Sequence, residues 1–375
     1  MSPEQATDAA QAALPKAVAR LREAVLIETP TSDAAASGRI ADLLESWLSP
    51  HGTVRRVTSV HGEHLVADVP GTVDAQPILL VGHSDTVWPR GTADDALPWS
   101  IDGDTLRGPG VYDMKSGLVI IATALDALRA APRRPVRILI TCDEEIGSPS
   151  SRDLLLTCAQ DVAGALAFES PHPDGALKVG RAGSTRLRLG IGGRSAHAAL
   201  DPDGGVSAID ELVDQLLHVR RIVTDTPGTV LCNIGTIAGG TRANVIPEHA
   251  EAEIGLRFLD AETERSVLDR IRSAQPVRDG AEVRTAILSS RPAWAGSDAD
   301  AALLQRIRVA GAALGQRIDA RPAMGAGDEN LLGAAGVPTV DGLGPSGGGA
   351  HALSEHISIR SLAERIALLS LLLSL

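Results

Sequence analysis

Apolar residues over 16–26 recur at helical spacing and stop ahead of Pro30, which predicts a helix. A second helix is predicted over about 38–48. The pattern then shortens. Residues 77–82, Pro-Ile-Leu-Leu-Val-Gly, form a continuous apolar run of strand length, as expected for a strand covered on both faces. A helix over 116–129 and strands over 136–141 and 163–168 follow. Strand and helix alternate, which predicts an α/β layer around a parallel or mixed sheet.

The pattern changes after Lys178. A strand over 185–191 precedes a helix over 206–223, and strands over 230–237 and 250–258 follow. A helix over 262–273 and a strand over 281–288 complete the set. This βαββαβ order is that of a ferredoxin-like module. A helix over 298–314, a Gly-rich stretch read as a tight loop over 342–349, and an apolar last helix then resume the first pattern. The expected organisation is one larger domain, residues 1–179 and 290–375, with a smaller one, residues 180–289, inserted into it.

Composition narrows the function classes. A chain of 375 residues, 44 % of them hydrophobic, is long enough for two cores. Its first residues, Met1-Ser2-Pro3-Glu4-Gln5, lack a basic start before an apolar run, and the apolar stretch over 366–373 is too short to span a bilayer. The expectation is a soluble, cytoplasmic protein. The net charge of −12 argues against nucleic acid or an anionic membrane as partner. Aromatic residues, at 2 %, are too few for base-stacking or carbohydrate platforms. Cys142, Cys158 and Cys232 have no paired spacing and read as small apolar residues rather than disulfides or a zinc knuckle.

Five places carry candidate chemistry. His83 and Asp85 stand two apart at the end of an apolar strand, so both side chains would face one way, and a metal-binding imidazole needs such an acceptor behind it. A solvent-facing polar pair is the plainer alternative. Asp113 lies in the Gly-rich loop Arg107-Gly108-Pro109-Gly110-Val111-Tyr112-Asp113 before a helix, where on its own a capping or turn aspartate is the default reading. Asp143, Glu144 and Glu145 follow one another at the end of a strand expected to be buried. Their mutual repulsion calls for a cation between them. A divalent metal would meet that need and leave a neighbouring carboxylate free to act as general base. Glu169 is another acid at a strand end, and His351 follows three glycines. Nitrogen and oxygen donors without thiolate suit catalytic zinc, with cobalt or manganese as substitutes.

Taken together and in this order, the motifs resemble those of the M20 family of metallopeptidases. That family includes glutamate carboxypeptidase, aminoacylase-1, acetylornithine deacetylase and succinyl-diaminopimelate desuccinylase. The resemblance runs from near residue 16 to the C-terminus. It implies a zinc-peptidase-like mixed-sheet catalytic domain whose inserted ferredoxin-like module serves as lid and dimerisation domain. It also implies two zinc ions held by His83, Asp113, Glu145, Glu169 and His351, with Asp113 bridging. Glu144 would be the general base, Asp85 would orient His83, and the Asp113–Met114 peptide would be cis.

In the inserted module, Gly193-Arg194-Ser195-Ala196-His197-Ala198 resembles the family's lid histidine motif, so His197 would stabilise the oxyanion. Asn244 and Arg257 resemble the pair that grips a substrate carboxylate, a task suited to a planar guanidinium. Without the resemblance His197 would read as a turn residue and Arg257 as a surface charge. Ala199 departs from the glycine common in relatives, and Gly325-Ala326-Gly327-Asp328 matches a family loop only loosely. Lys178 and Arg181 fall where some relatives place substrate contacts.

The implied reaction is hydrolysis of the amide bond of an N-acyl amino acid or small peptide with a free carboxylate, by a homodimer. Residues 82–89, Gly-His-Ser-Asp-Thr-Val-Trp-Pro, lean toward the glutamate carboxypeptidase branch. The alternative within hydrolases is an N-acyl amino acid deacylase of aminoacylase or acetylornithine deacetylase type. A non-catalytic metal- or peptide-binding protein would be expected to lose the base, and Glu144 is present.

Overall fold

The computed structural model describes residues 1–374, which form a mixed α/β fold in two compact units. The first comprises Met1–Gly180, Gly296–Ala323 and Gly327–Leu375; the second comprises Arg181–Ala295 and Met324–Ala326.

The first unit is built on a six-stranded sheet in the order Thr53–Ser59, Gly62–Val69, Val136–Thr141, Ile78–His83, Gly164–Ala167, Thr339–Val340. The Ile78–His83 strand is central, fully buried, and parallel to both neighbours. Three adjacent strands therefore end on one side, where open α/β sheets present their functional loops. Helices Pro3–Leu26, Ser116–Ala127 and Ile359–Ser374 share one core, in which Leu21, Ile120, Ile366 and Leu369 are buried. A smaller antiparallel sheet pairs Gly347–Gly348 with His356–Ser358, and that strand with Thr105–Arg107. It brings the loop after Arg107 beside the loop that carries His351.

The first helix starts thirteen residues earlier than the apolar spacing predicts, at Pro3 rather than 16. Ser2 and Gln5 form a reciprocal capping box. The helix continues through Pro15, and Ala6 and Ala10 bury a face too small to register as an apolar stripe. Among the described residues no helix is long and apolar enough to cross a membrane.

In the second unit, strands Val230–Gly239, His249–Phe258, Gly183–Gly192 and Glu282–Arg291 form an antiparallel sheet in that order. With helices Ala208–Asp225 and Ala261–Arg272 this is the βαββαβ order read from the pattern. Along His249–Phe258, Ala252, Ile254, Leu256 and Phe258 alternate inward and join Leu212, Val219 and Val267 in a separate core. Of the intervening residues Glu253 and Arg257 carry charge, and Glu253 accepts a hydrogen bond from Arg188 at 2.8 Å.

Candidate metal centre

His83 ends the central strand and is buried. Its Nε2 lies 3.2 Å from Asp113 Oδ1 and 3.3 Å from Glu169 Oε1. Its Nδ1 lies 2.9 Å from the carbonyl oxygen of Asp85 and 3.3 Å from Asp85 Oδ1. An Nδ1–H donated to Asp85 leaves the Nε2 lone pair facing the acids, the tautomer a metal ligand needs. Asp85 does more than face His83. Its carboxylate accepts the backbone N–H of Glu144 and of Glu145, each at 3.2 Å, and the hydroxyl of Thr31 at 2.9 Å. It therefore ties the acid turn to the neighbouring strand end.

That turn, Glu144–Ile146, begins just past the Val136–Thr141 strand, and Glu144 is buried in it. Asp143, the first acid of the run, accepts from Ser150 and Ser151 and so has its own donors. Glu169 follows the third strand end. A Cβ on Gly117 would lie 2.5 Å from the Phe168 carbonyl oxygen, so only glycine lets the Ser116–Ala127 helix approach this closely.

Asp113 precedes that helix, and the Asp113–Met114 peptide is cis. Its two carboxylate oxygens face different imidazoles: Oδ1 meets His83, and Oδ2 lies 3.2 Å from His351 Nε2. The same His351 nitrogen is 3.2 Å from Glu145 Oε2. Donor atoms of His83, Asp113 and Glu145 all lie within 4.8 Å of one another. The structure thus brings together all five residues singled out by the motifs.

The electrostatics of this cluster call for positive charge. Burial alone would depress His83, yet the carboxylates of Glu169, Asp113 and Asp85 outweigh it and raise its pKa well above the usual value. Asp113 and Glu145 raise His351 to about 10. Burial pushes Glu169 up, with the charge on Asp113 adding to it. Burial also opposes ionisation of Asp113, but His351 and His83 hold it well below the usual carboxylate range. Glu145 Oε1 is buried and meets no hydrogen-bond donor among the described residues. Three carboxylates, two imidazoles and an unsatisfied buried oxygen fit divalent metal better than they fit a protein-only network.

His197, Asn244 and Arg257 belong to the second unit. His197 pairs with Val245, and Ala198 N donates to Asn244 O at 3.0 Å, so His197 and Asn244 share one short ladder. His197 Nδ1 accepts the backbone N–H groups of Ala199 and Leu200, which leaves Nε2 to carry the hydrogen. Arg257 stands half-buried opposite Ser184, and burial and the positive charges of Arg181 and Arg291 lower its pKa. Lys178 Nζ lies 3.6 Å from Asp341, and Arg181 Nε donates to Gly325 O at 2.6 Å. Asp328 is buried and accepts from Thr141 at 3.0 Å and from Ser148.

One site residue carried no signal in the pattern. Glu355, on the loop that follows His351, is wholly buried beside the Asp113 loop. An acid four residues beyond His351 says nothing about where its carboxylate turns.

Known proteins share this chain's sequence pattern and fold. Carboxypeptidase G2 of Pseudomonas sp. (strain RS-16) is 29 % identical over 94 % of this chain and 87 % of its own length. A tripeptidase from Staphylococcus aureus has the same fold, with a TM-score of 0.79 at 20 % identity, covering 96 % of this chain and 98 % of that one. Aminopeptidase PepT from Bacillus cereus gives a TM-score of 0.77 at 22 % identity over 96 % and 98 % of the two chains. Residues 79–375 match the family described as Peptidase family M20/M25/M40. With that match over most of its length and a His/Asp/Glu cluster at its strand ends, the chain belongs to the M20 family of metallopeptidases and is a hydrolase of that family.

Proposed function

We propose that the protein is a two-zinc hydrolase that cleaves the amide bond of an N-acyl amino acid or short peptide with a free carboxylate. The reading follows the glutamate carboxypeptidase pattern, in line with the similarity to carboxypeptidase G2. One observation carries it: the two oxygens of Asp113 each lie 3.2 Å from the Nε2 of a different histidine. A carboxylate so shared is suited to bridge two cations. His83 and Glu169 would then complete one shell, and Glu145 and His351 the other. Cobalt or manganese could substitute for zinc.

When bound, the metal pair would polarise the scissile carbonyl and make water acidic enough to attack near neutral pH. The remaining work falls to the chain. Glu144 takes the proton from the attacking water and hands it to the leaving amine, as a positioned base does. Asp85 keeps the proton of His83 on Nδ1 and holds Glu144 and Glu145 by their backbone. His197, with its hydrogen on Nε2, donates to the developing oxyanion. Arg257 and Asn244 take the free carboxylate of the substrate.

The second unit would act as lid and as the seam of a homodimer. Supporting this, Ile209, Val213 and Leu217 recur every four residues on one helix at 38–51 % exposure. Val230–Gly239 is also an edge strand.

The test is Glu144→Ala with zinc measured alongside activity. Zinc should be retained while hydrolysis of an N-acyl-glutamate falls by roughly 10²–10⁴-fold. Near-full turnover would remove the assignment of the base. Comparing N-acyl-glutamates with acetylated amino acids separates a carboxypeptidase from a deacylase, and a clear preference for acetylornithine would favour the latter.

A further inference from the structure

Glu355 receives more donors than any ligand it supports. Its Oε1 accepts the backbone N–H of Tyr112 at 2.8 Å and of Asp113 at 3.1 Å. Its Oε2 accepts the backbone N–H of Gly110 at 3.0 Å and the indole N–H of Trp88 at 2.7 Å. No part of the side chain is exposed. Burying a carboxylate costs several kcal/mol unless its lone pairs are met, and four converging donors meet them.

The donors come from two different loops. Trp88 lies five residues past His83, and Gly110–Asp113 is the turn that delivers the shared aspartate. Glu355 itself lies four residues past His351, on a turn closed by Ala352 N to Gly349 O and Glu355 N to Ala352 O, each at 2.9 Å. One carboxylate thus joins the loops that carry His83, Asp113 and His351. The antiparallel pairing of His356–Ser358 with Thr105–Arg107 brings it there, since Glu355 directly precedes the first strand and Gly110 closely follows the second.

We propose that Glu355 is a positioning residue that sets the spacing of His83, Asp113 and His351 and thereby the metal affinity of the centre. Both its oxygens are taken up by these four donors, and it acts through the backbone of Asp113. The inference rests on those three residues being ligands. Glutamine at 355 keeps the size but replaces one acceptor oxygen with an amide that faces donors. At least one of the four donors is then unmet, and the Asp113 turn is free to shift.

The experiment is competition of the full-length chain against a chromophoric chelator for Zn²⁺. Glu355→Gln should weaken zinc binding by about 10–100-fold, the range for loss of a partner behind a ligand, with far-UV circular dichroism unchanged. Glu211→Gln is the control. Glu211 is a fully buried carboxylate that accepts from Val277, Arg278 and Gln215 in the other unit, and its loss should lower thermal stability without changing zinc affinity. A Co²⁺-loaded Glu355→Gln protein should also show a shifted d–d spectrum, which general loosening elsewhere would not produce.

A folded Glu355→Gln protein with zinc affinity within twofold of the parent overturns the proposal, as does an equal loss in Glu211→Gln. Should Glu355→Gln fail to fold, Trp88→Phe decides. It removes one donor and leaves the carboxylate, and an unchanged affinity there overturns the proposal, whereas a loss of about threefold or more supports it. A parent protein that binds no zinc sinks the metal reading itself, and this inference with it.

Discussion

The two histidines of the centre present the same atom to the same aspartate from opposite kinds of backbone. His83 ends a strand buried on both faces and is itself 1 % exposed. His351 sits after a glycine loop with φ of 60°, and its side chain is 52 % exposed. The strand-end side is fixed by the sheet. The loop side has a left-handed residue and a buried acid, Glu355, that accepts hydrogen bonds from Trp88 and from the backbone of Gly110, Tyr112 and Asp113. Position is therefore supplied by packing in one half and by polar contacts in the other, and the halves should fail differently.

Asparagine at each position tests this most strongly. Either substitution should weaken zinc binding by on the order of 100-fold or more, since loss of an outer partner alone costs 10–100-fold. Stability should separate them. With metal chelated away, His83→Asn should lose about 2 kcal/mol, because it empties packed space and leaves Glu169 without the cation it faces. His351→Asn should cost less, about 1 kcal/mol or under, since asparagine tolerates the left-handed region and solvent at the half-exposed imidazole screens the charge that Asp113 and Glu145 lose. Equal melting shifts in the two variants would break the comparison.

The same contrast explains what could be read from the chain. His83, Glu145 and Glu169 stand just after apolar runs of strand length, so the pattern places them at strand ends and the parallel order places them together. His351 could be found only by likeness, because a histidine after glycines carries no periodicity. Glu355 could not be found, since its role depends on a pairing between residues some 250 positions apart in sequence. The second unit was legible as an order of elements because its strands alternate cleanly. The side chains proposed to act there were not, because an exposed histidine and a strand arginine have plainer explanations at every position. The long first helix shows the limit of hydrophobic spacing: Ala6 and Ala10 pack as closely as leucines but leave little trace in the pattern.

A smaller effect sharpens the loop side. Gly349 has φ of +78°, and a Cβ there would lie 2.6 Å from the Ser354 carbonyl carbon. Both the conformation and the space exclude a side chain, so Gly349→Ala should cost about 1–3 kcal/mol and move the turn between His351 and Glu355. Thermal melting and zinc titration on one sample would check both parts. A variant as stable as the parent, with unchanged affinity, would show that the loop is held by something other than this turn.

A graded effect lies behind the strand side and is a pH dependence. His64 is fully buried; its Nδ1 accepts the backbone N–H of Cys142 at 3.2 Å, and its Nε2 lies 3.1 Å from Ser150 Oγ. Ser150 in turn donates to Asp143 at 2.7 Å, so neutral His64 closes a chain of hydrogen bonds beneath the acid turn. Burial lowers its pKa, against the opposing pull of Asp143. The sign follows from the unfolded chain, which binds a proton near the ordinary histidine value of about 6.5 while the folded protein does not. Stability from this residue is therefore complete above about pH 6.5 and falls as the pH drops below it, by no more than about 1.4 kcal/mol per unit. Other groups titrate in the same range, so the measurement is a difference. Melting temperatures of the parent and His64→Gln are followed from pH 7.5 to 5, with the parent expected to fall more steeply. Parallel curves would mean that His64 takes its proton in the folded state, and that the strand side of the centre is less rigidly neutral than its burial implies.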